Sequence, residues 1–340
     1  MDKKIIFDKK NVLVVGGAGF IGSHLCDELL KKNKVICLDN FITGDEKNID
    51  HLLVNPDFVF IKHDIAKPID LENSSDLQEF KIQFQGIQEI YNLACPTSPN
   101  DFDKNIDANL LANSYIIKNI ADIAQKYNSK LLHYSSSVVY GPRIEDTLKV
   151  DEQYIGKIDI LSERSSYDEG KRFAETMLIN YKKTKNIDVK IIRLFRVYGP
   201  RMKLLQGHMV PDFIINALDG QDLDLYGDSS FVSSFCYVSD IIDASLKVMD
   251  SDKMGPYNVG SDVDISLTSV ADKIIKIIKS QSKIVYKEKL LFMSPLCLPN
   301  ISKIRNELGW MPIVTLDNGL ELTINDLKAN KNLKNVKNIE

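Results

Sequence analysis

In the stretch SSYDEGKRFAETM, residues 165–177, Tyr167 and Lys171 stand four residues apart. The stretch reads as helix, and at that spacing two side chains share one face. A tyrosine hydroxyl is a weak base near neutral pH, because its ordinary pKa is about 10. An ammonium beside it stabilises the phenolate and lowers that value, which opens proton exchange with a sugar hydroxyl. Alone, a Tyr-x-x-x-Lys pair reads as two surface residues on an amphipathic helix, so the surrounding elements decide.

The elements that must position the pair begin with NVLVV, 11–15, a valine-rich run that reads as a buried parallel strand. Gly16, Gly19 and Gly22 follow in a GxxGxxG spacing, leading into a helix whose inner face carries Ile21, Leu25 and Leu29. Strand, glycine turn and helix in this order let a pyrophosphate approach the backbone and sit on the helix N-terminus. The next strand, KVICLDN, ends at Asp39, where a dinucleotide fold places a carboxylate on the adenine ribose. An acid there repels a 2′-phosphate, which selects NAD over NADP. A third strand, FVFIKHDI, brings Asp64 to its carboxyl end as an adenine contact.

Residues 67–87 are polar and irregular and read as a surface excursion. QEIYNLACPTSP, 88–99, supplies a fourth strand that delivers Ala94 and Cys95 into a proline-bounded loop. ANLLANSYIIKNIADIAQKY reads as one helix with mixed faces, suited to subunit pairing as well as to the core. The fifth strand, KLLHYSSSVVYG, ends in Ser135, Ser136 and Ser137, and strand ends of an open parallel sheet line its ligand crevice. DVKIIRLFRVYGPR, 188–201, supplies a sixth strand with Arg196 and Arg201 after it.

The strand–helix alternation weakens after about residue 200. A helix in HMVPDFIINALDG, a strand in DLDLYG, and a helix capped by Ser239 or Asp240 precede PYNVG, 256–260, a strand returning to the main sheet. LTSVADKIIKIIKS is an amphipathic helix opened by Thr268 or Ser269; Pro295 and Pro299 then bracket a loop before the helix ISKIRNELGW. From Lys328 the chain is mostly Lys and Asn and is expected to fray. The fold class is therefore α/β, a Rossmann-like doubly wound parallel sheet with a smaller mixed α/β C-terminal substrate domain. Residues 1–200 form the dinucleotide-binding domain, 201–327 mainly the substrate domain and 328–340 a polar tail.

The bulk composition excludes several classes. A net charge of −4 gives no global basic surface for nucleic acid. The five cysteines, Cys26, Cys37, Cys95, Cys236 and Cys297, are odd in number and lack a CxxC pair, which argues against disulfides and zinc and for a reducing compartment. MDKKIIFDKK is too charged for a signal peptide, and no apolar run reaches bilayer length. The expectation is a soluble, cytoplasmic protein with no membrane and no metal.

VVGGAGFIGSH, LDNFITG, NLACPTSP, SSSVVYG, YDEGKRFAET, YGPRM, FCYVSD, YNVGS and ISKIRNELGWMP together resemble the extended short-chain dehydrogenase/reductase family, over about residues 9–325 and in order. These are NAD-dependent epimerases, dehydratases and decarboxylases of nucleotide sugars. The resemblance implies that Gly16, Gly19, Phe20, Ile21, Gly22, Asp39, Asn40, Asp64, Ile65 and Ala94 hold NAD. It implies that Tyr167 is the catalytic base and that Lys171 lowers the tyrosine pKa and holds the nicotinamide ribose. It implies further that Ser136 bonds the sugar O4, with Ser137, Arg196, Arg201 and His208 also on the substrate side. The shared chemistry is oxidation of the hexose C4 to a 4-keto intermediate, and the partners implied are a nucleotide-diphosphate sugar and a second copy of the chain, paired through residues 105–127 and 165–184.

Within the family the motifs lie nearest to UDP-glucuronate decarboxylases, with departures. Val138 stands where those enzymes carry a glutamate, Ser233 and Cys297 where they carry arginines, and Arg196 where they carry an asparagine. An apolar side chain cannot do acid–base work, whereas Arg196 leaves open that a lost charge is supplied from another position. C4 epimerisation, C4 dehydrogenation or 4,6-dehydration are the alternative activities, and a non-catalytic NAD-binding homologue is a second alternative.

Overall fold

A computed structural model describes residues 8–98, 101, 103–143, 149–227, 231–288 and 296–337. In its first strand, β1 (Asn11–Val15), Val12 and Val14 pack to one side of the sheet and Leu13 and Val15 to the other. A strand buried on both faces needs helices on both sides. β1 is joined by β2 (Lys34–Asp39), β3 (Phe58–Lys62), β4 (Glu89–Asn92), β5 (Lys130–Ser136), β6 (Asp188–Leu194) and β7 (Tyr257–Val259). All pairings are parallel, in the order β7-β6-β5-β4-β1-β2-β3. Strand order reverses between β1 and β4, which opens a crevice at the carboxyl ends there.

One face is covered by α1 (Phe20–Leu30), and the other by α2 (Ile106–Ala112), α3 (Tyr115–Tyr127) and α4 (Ser165–Lys185). After β6 come α5 (Met209–Leu218), α6 (Val238–Asp250), α7 (Leu267–Ile278), α8 (Ser302–Leu308) and α9 (Leu316–Lys337). α6 returns to the α1 face of the sheet, while α5, α7 and α9 bury Phe213, Ile274 and Ile324 in a separate core. Trp310 is fully buried, and its indole N–H donates to the Asp240 carbonyl.

Several local expectations are corrected. Residues 67–87 do not form a loose excursion, since Leu71, Leu77, Phe80 and Ile82 are buried against the sheet. Their irregular spacing fits a 3-10 segment, Ser75–Phe80, and a single helical turn, Ile82–Gln85, rather than a long helix. The helix expected over 108–127 is broken between α2 and α3. There Asn113 Nδ2 and Ser114 Oγ donate to the Asn109 and Leu110 carbonyls, side-chain bonds that compete with the helix ladder. α7 is capped by Ser266, two to three residues earlier than expected, and α6 has no side-chain cap. The Asp240 carboxylate accepts instead from the Val314 amide. The tail expected to fray from residue 328 continues α9 to Lys337; residues 338–340 and Pro295 lie outside the described residues.

Candidate active site

A cavity of ≈ 1080 Å³ at the carboxyl ends of the strands is lined by every residue that the sequence assigned to cofactor, catalysis or substrate. Its dinucleotide half is built by close backbone approach. The chain leaves β1 at Gly16 with φ +81, and a Cβ there would lie 2.9 Å from the Ala94 nitrogen. A Cβ on Gly22 would lie 2.2 Å from the Gly16 carbonyl oxygen, so only hydrogen lets α1 seat against the turn. α1 opens at Gly19 with no side chain capping its first amides, which suits an anion.

Asp39 is buried at the end of β2 and accepts from the Ala18 amide at 3.0 Å and the Phe41 amide at 2.8 Å. Burial pushes its carboxyl up from the ordinary value, and these backbone bonds pull it back. The glycine cradle and this carboxylate fit a dinucleotide, with Phe20, Ile21, Asn40, Asp64, Ile65 and Ala94 on the same wall.

The reacting half is carried by β5 and α4. Lys171 is 4% exposed, and its Nζ donates to the Tyr134 carbonyl at 2.9 Å and lies 5.9 Å from the Tyr167 ring centroid. Ser136 hydrogen-bonds Tyr167. The tyrosine pKa departs from the expectation: burial drives it well up, Cys95 beside it adds to the rise, and Ser136 and Arg164 act the other way. Lys171 is not among the groups that offset the burial. Below the pair, Glu175 accepts from Ser135 Oγ at 2.5 Å and binds Arg193 through both oxygens, which fastens α4 to β5 and β6.

The third wall comes from the segment after β6 and from α5. Arg196 donates through Nε to Ser233 Oγ at 2.9 Å, which brings a guanidinium next to position 233. Burial, with Arg164 nearby, pushes Arg196 down to about 10. Burial next to Arg196 likewise pushes His208 down to about 4. Arg201 lines the cavity but pairs with Asp27 of α1 at 2.8 Å, so its charge is already committed. Val138 is buried in the cavity wall, while Ser233 and Cys297 do not line it. The five cysteines are all free.

Sequence reasoning missed Arg164, Lys203 and Gln206 on this side and Asp326 and Asn330 from α9. Arg164 was within reach, since it precedes Tyr167 by three residues and so shares its helical face. The α9 residues come from the far end of the chain and leave no local signal.

A sequence model of the NAD dependent epimerase/dehydratase family matches residues 12–260. UDP-glucuronic acid decarboxylase 1 of Arabidopsis thaliana is 35% identical over 93% of this chain and 69% of its own length. The structure of UDP-glucuronic acid 4-epimerase from Bacillus cereus in complex with UDP-glucuronic acid and NAD superposes with a TM-score of 0.80 at 27% identity, covering 94% of this chain and 99% of that one. For the dTDP-glucose 4,6-dehydratase of Bacillus anthracis in complex with NAD the TM-score is 0.79 at 26% identity, with coverage of 95% and 98%.

Proposed function

The chain belongs to the NAD dependent epimerase/dehydratase family, and from that premise we propose that it is an enzyme oxidising C4 of UDP-glucuronate and releasing carbon dioxide. The observation that carries this reading is the convergence of Ser136, Tyr167 and Lys171 with the glycine turn and Asp39 on one cavity. NAD, held by the glycine turn and Asp39, would supply the acceptor for the C4 hydrogen and, in its oxidised form, a positive charge. That charge would act with Ser136 and Arg164 to draw the Tyr167 pKa down toward where a phenolate forms. Ser136 orients the sugar O4, Tyr167 takes its proton, and the C4–O4 bond becomes a ketone.

The C6 carboxylate then stands β to that ketone. The electron pair of the C5–C6 bond flows toward the carbonyl as carbon dioxide leaves, the enolate takes a proton from water at C5, and return of the hydrogen to C4 with the Tyr167 proton to O4 restores the alcohol as UDP-xylose. A second reading, C4 epimerisation, is favoured by one observation: Val138 is apolar and 3% exposed where an acid–base side chain would act at the sugar. Returning the hydrogen to the opposite face of the ketone needs no such group. Product analysis of NAD-loaded protein with UDP-glucuronate separates the two: carbon dioxide with UDP-xylose supports decarboxylation, while UDP-galacturonate without carbon dioxide overturns it for epimerisation.

The nucleotide is read by the core built from α5, α7 and α9 in this proposal. In the same proposal the chain pairs with a second copy through α2, α3 and α4, which leave Leu110, Tyr115 and Phe173 about half exposed. No described helix is long and apolar enough to cross a membrane.

A further inference from the structure

We infer that Arg196 reads a carboxylate on the sugar itself and makes the site selective for uronates over neutral hexoses. The inference rests on the nucleotide-sugar reading of the cavity. It starts from charge accounting among the neighbouring arginines. Arg164 pairs with Asp168, Arg193 with Glu175 and Arg201 with Asp27, whereas Arg196 pairs with no carboxylate among the described residues. Its Nε is used by Ser233 Oγ, and a terminal nitrogen has only the Met209 sulfur at 3.9 Å. A guanidinium has five N–H donors, so most of the fork remains to be used. Ser233 and the Phe235 ring, 6.0 Å from the guanidinium carbon, hold its plane in place before any ligand arrives.

The position of Arg196 assigns the anion to the sugar. Leu194 pairs in register with Ser136, the hydroxyl proposed to hold O4, and Arg196 lies two residues beyond it at the same end of the sheet. Arg164 acts electrostatically on both Tyr167 and Arg196, which brings the two arginines to the reacting end. The pyrophosphate turn follows β1, three strands away in the sheet order. Two cations near each other in a low-dielectric wall repel, and an anion between them relieves that repulsion. Burial is the main reason that Arg196 is pushed down to about 10, and Arg164 adds to it. His208, pushed down to about 4, stays neutral at pH 7 and adds hydrogen-bonding capacity without a third charge. A carboxylate matches an arginine fork with two parallel bonds, a geometry that a neutral hydroxymethyl group cannot offer.

The shared chemistry, an anionic oxygen pair, could also come from the substrate diphosphate, and calorimetric titration of the NAD-loaded protein separates the sources. UDP-glucuronate, UDP-glucose and UDP are titrated into the wild type, Arg196→Met and Arg196→Lys, with thermal melting and NAD content as folding controls. The expected result is that Arg196→Met weakens UDP-glucuronate at least about tenfold and changes UDP and UDP-glucose by less than about twofold. Arg196→Lys, which keeps the charge but loses the fork, should fall between. An equal loss for UDP and UDP-glucuronate would overturn the assignment in favour of the diphosphate. Unchanged UDP-glucuronate binding in a folded Arg196→Met protein would reduce Arg196 to a structural role. If the wild type binds none of the three, the nucleotide-sugar reading itself falls, and this assignment with it.

Discussion

Replacing Glu175 by alanine is expected to destabilise the protein by about 3–5 kcal/mol. Glu175 and Arg193 are 7% and 13% exposed at their side chains, too dry for solvent to take over either charge. Two bonds of 2.7 and 2.9 Å join them, and Ser135 Oγ adds a third to the same carboxylate. In the variant, Arg193 keeps, among the described residues, hydrogen bonds to the Tyr140 hydroxyl at 2.8 Å and the Glu152 carbonyl at 3.2 Å, and no ion pair. An uncompensated buried cation is the larger part of the penalty, because the direct net worth of a buried pair is small. Equilibrium urea unfolding measures it. The double variant Glu175→Met with Arg193→Met removes both charges and should recover most of the loss. A single-variant loss below about 1 kcal/mol, the range of an exposed pair, would refute the reasoning. Because Glu175 lies one turn beyond Lys171 and grips Ser135 next to Ser136, turnover of the folded fraction should fall as well.

Three further outcomes are expected. Tyr167→Phe should lose turnover by at least about 10²-fold while copurifying NAD is retained, as read by product assay and nucleotide extraction. His208 has a folded-state pKa of about 4, below the unfolded value of about 6.5. Between those values the unfolded chain binds the proton and the folded chain does not, so this group's contribution makes stability fall as pH drops through the window. The difference in urea stability between about pH 7 and about pH 4.5 should therefore be smaller in His208→Gln than in the wild type. Leu110→Asp combined with Phe173→Asp, both at about half-exposed positions, should turn a dimer into a monomer in sedimentation, whereas a wild type that is already monomeric would refute the pairing.

The sheet was legible because its strands are continuous apolar runs ending in residues with chemistry: Asp39, Ser136, and the glycines after Val15. Each of these signals is local, and the parallel topology then carries them to one crevice. The α2–α3 break was not legible, since Asn113 and Ser114 are tolerated inside helices unless their side chains take the carbonyls of the preceding turn. Nor was the burial of Leu71, Leu77, Phe80 and Ile82, because 3-10 geometry gives no sustained period. At the site, identity and spacing located Tyr167 and Lys171 but not the direction of the tyrosine pKa, which depends first on the depth of burial. The contact of Arg196 with Ser233 joins residues 37 apart and could only be seen in three dimensions.

The central claim is that the hydrogen on C4 leaves the sugar. Rapid mixing of NAD-loaded protein with UDP-glucuronate, carrying either hydrogen or deuterium at C4, tests it by following the absorbance of the reduced nicotinamide. The account predicts a reduced-nicotinamide signal that rises more slowly with deuterium and is missing in Tyr167→Phe. Conversion of UDP-glucuronate with no reduced nicotinamide at any time, and with no effect of the deuterium, would contradict it.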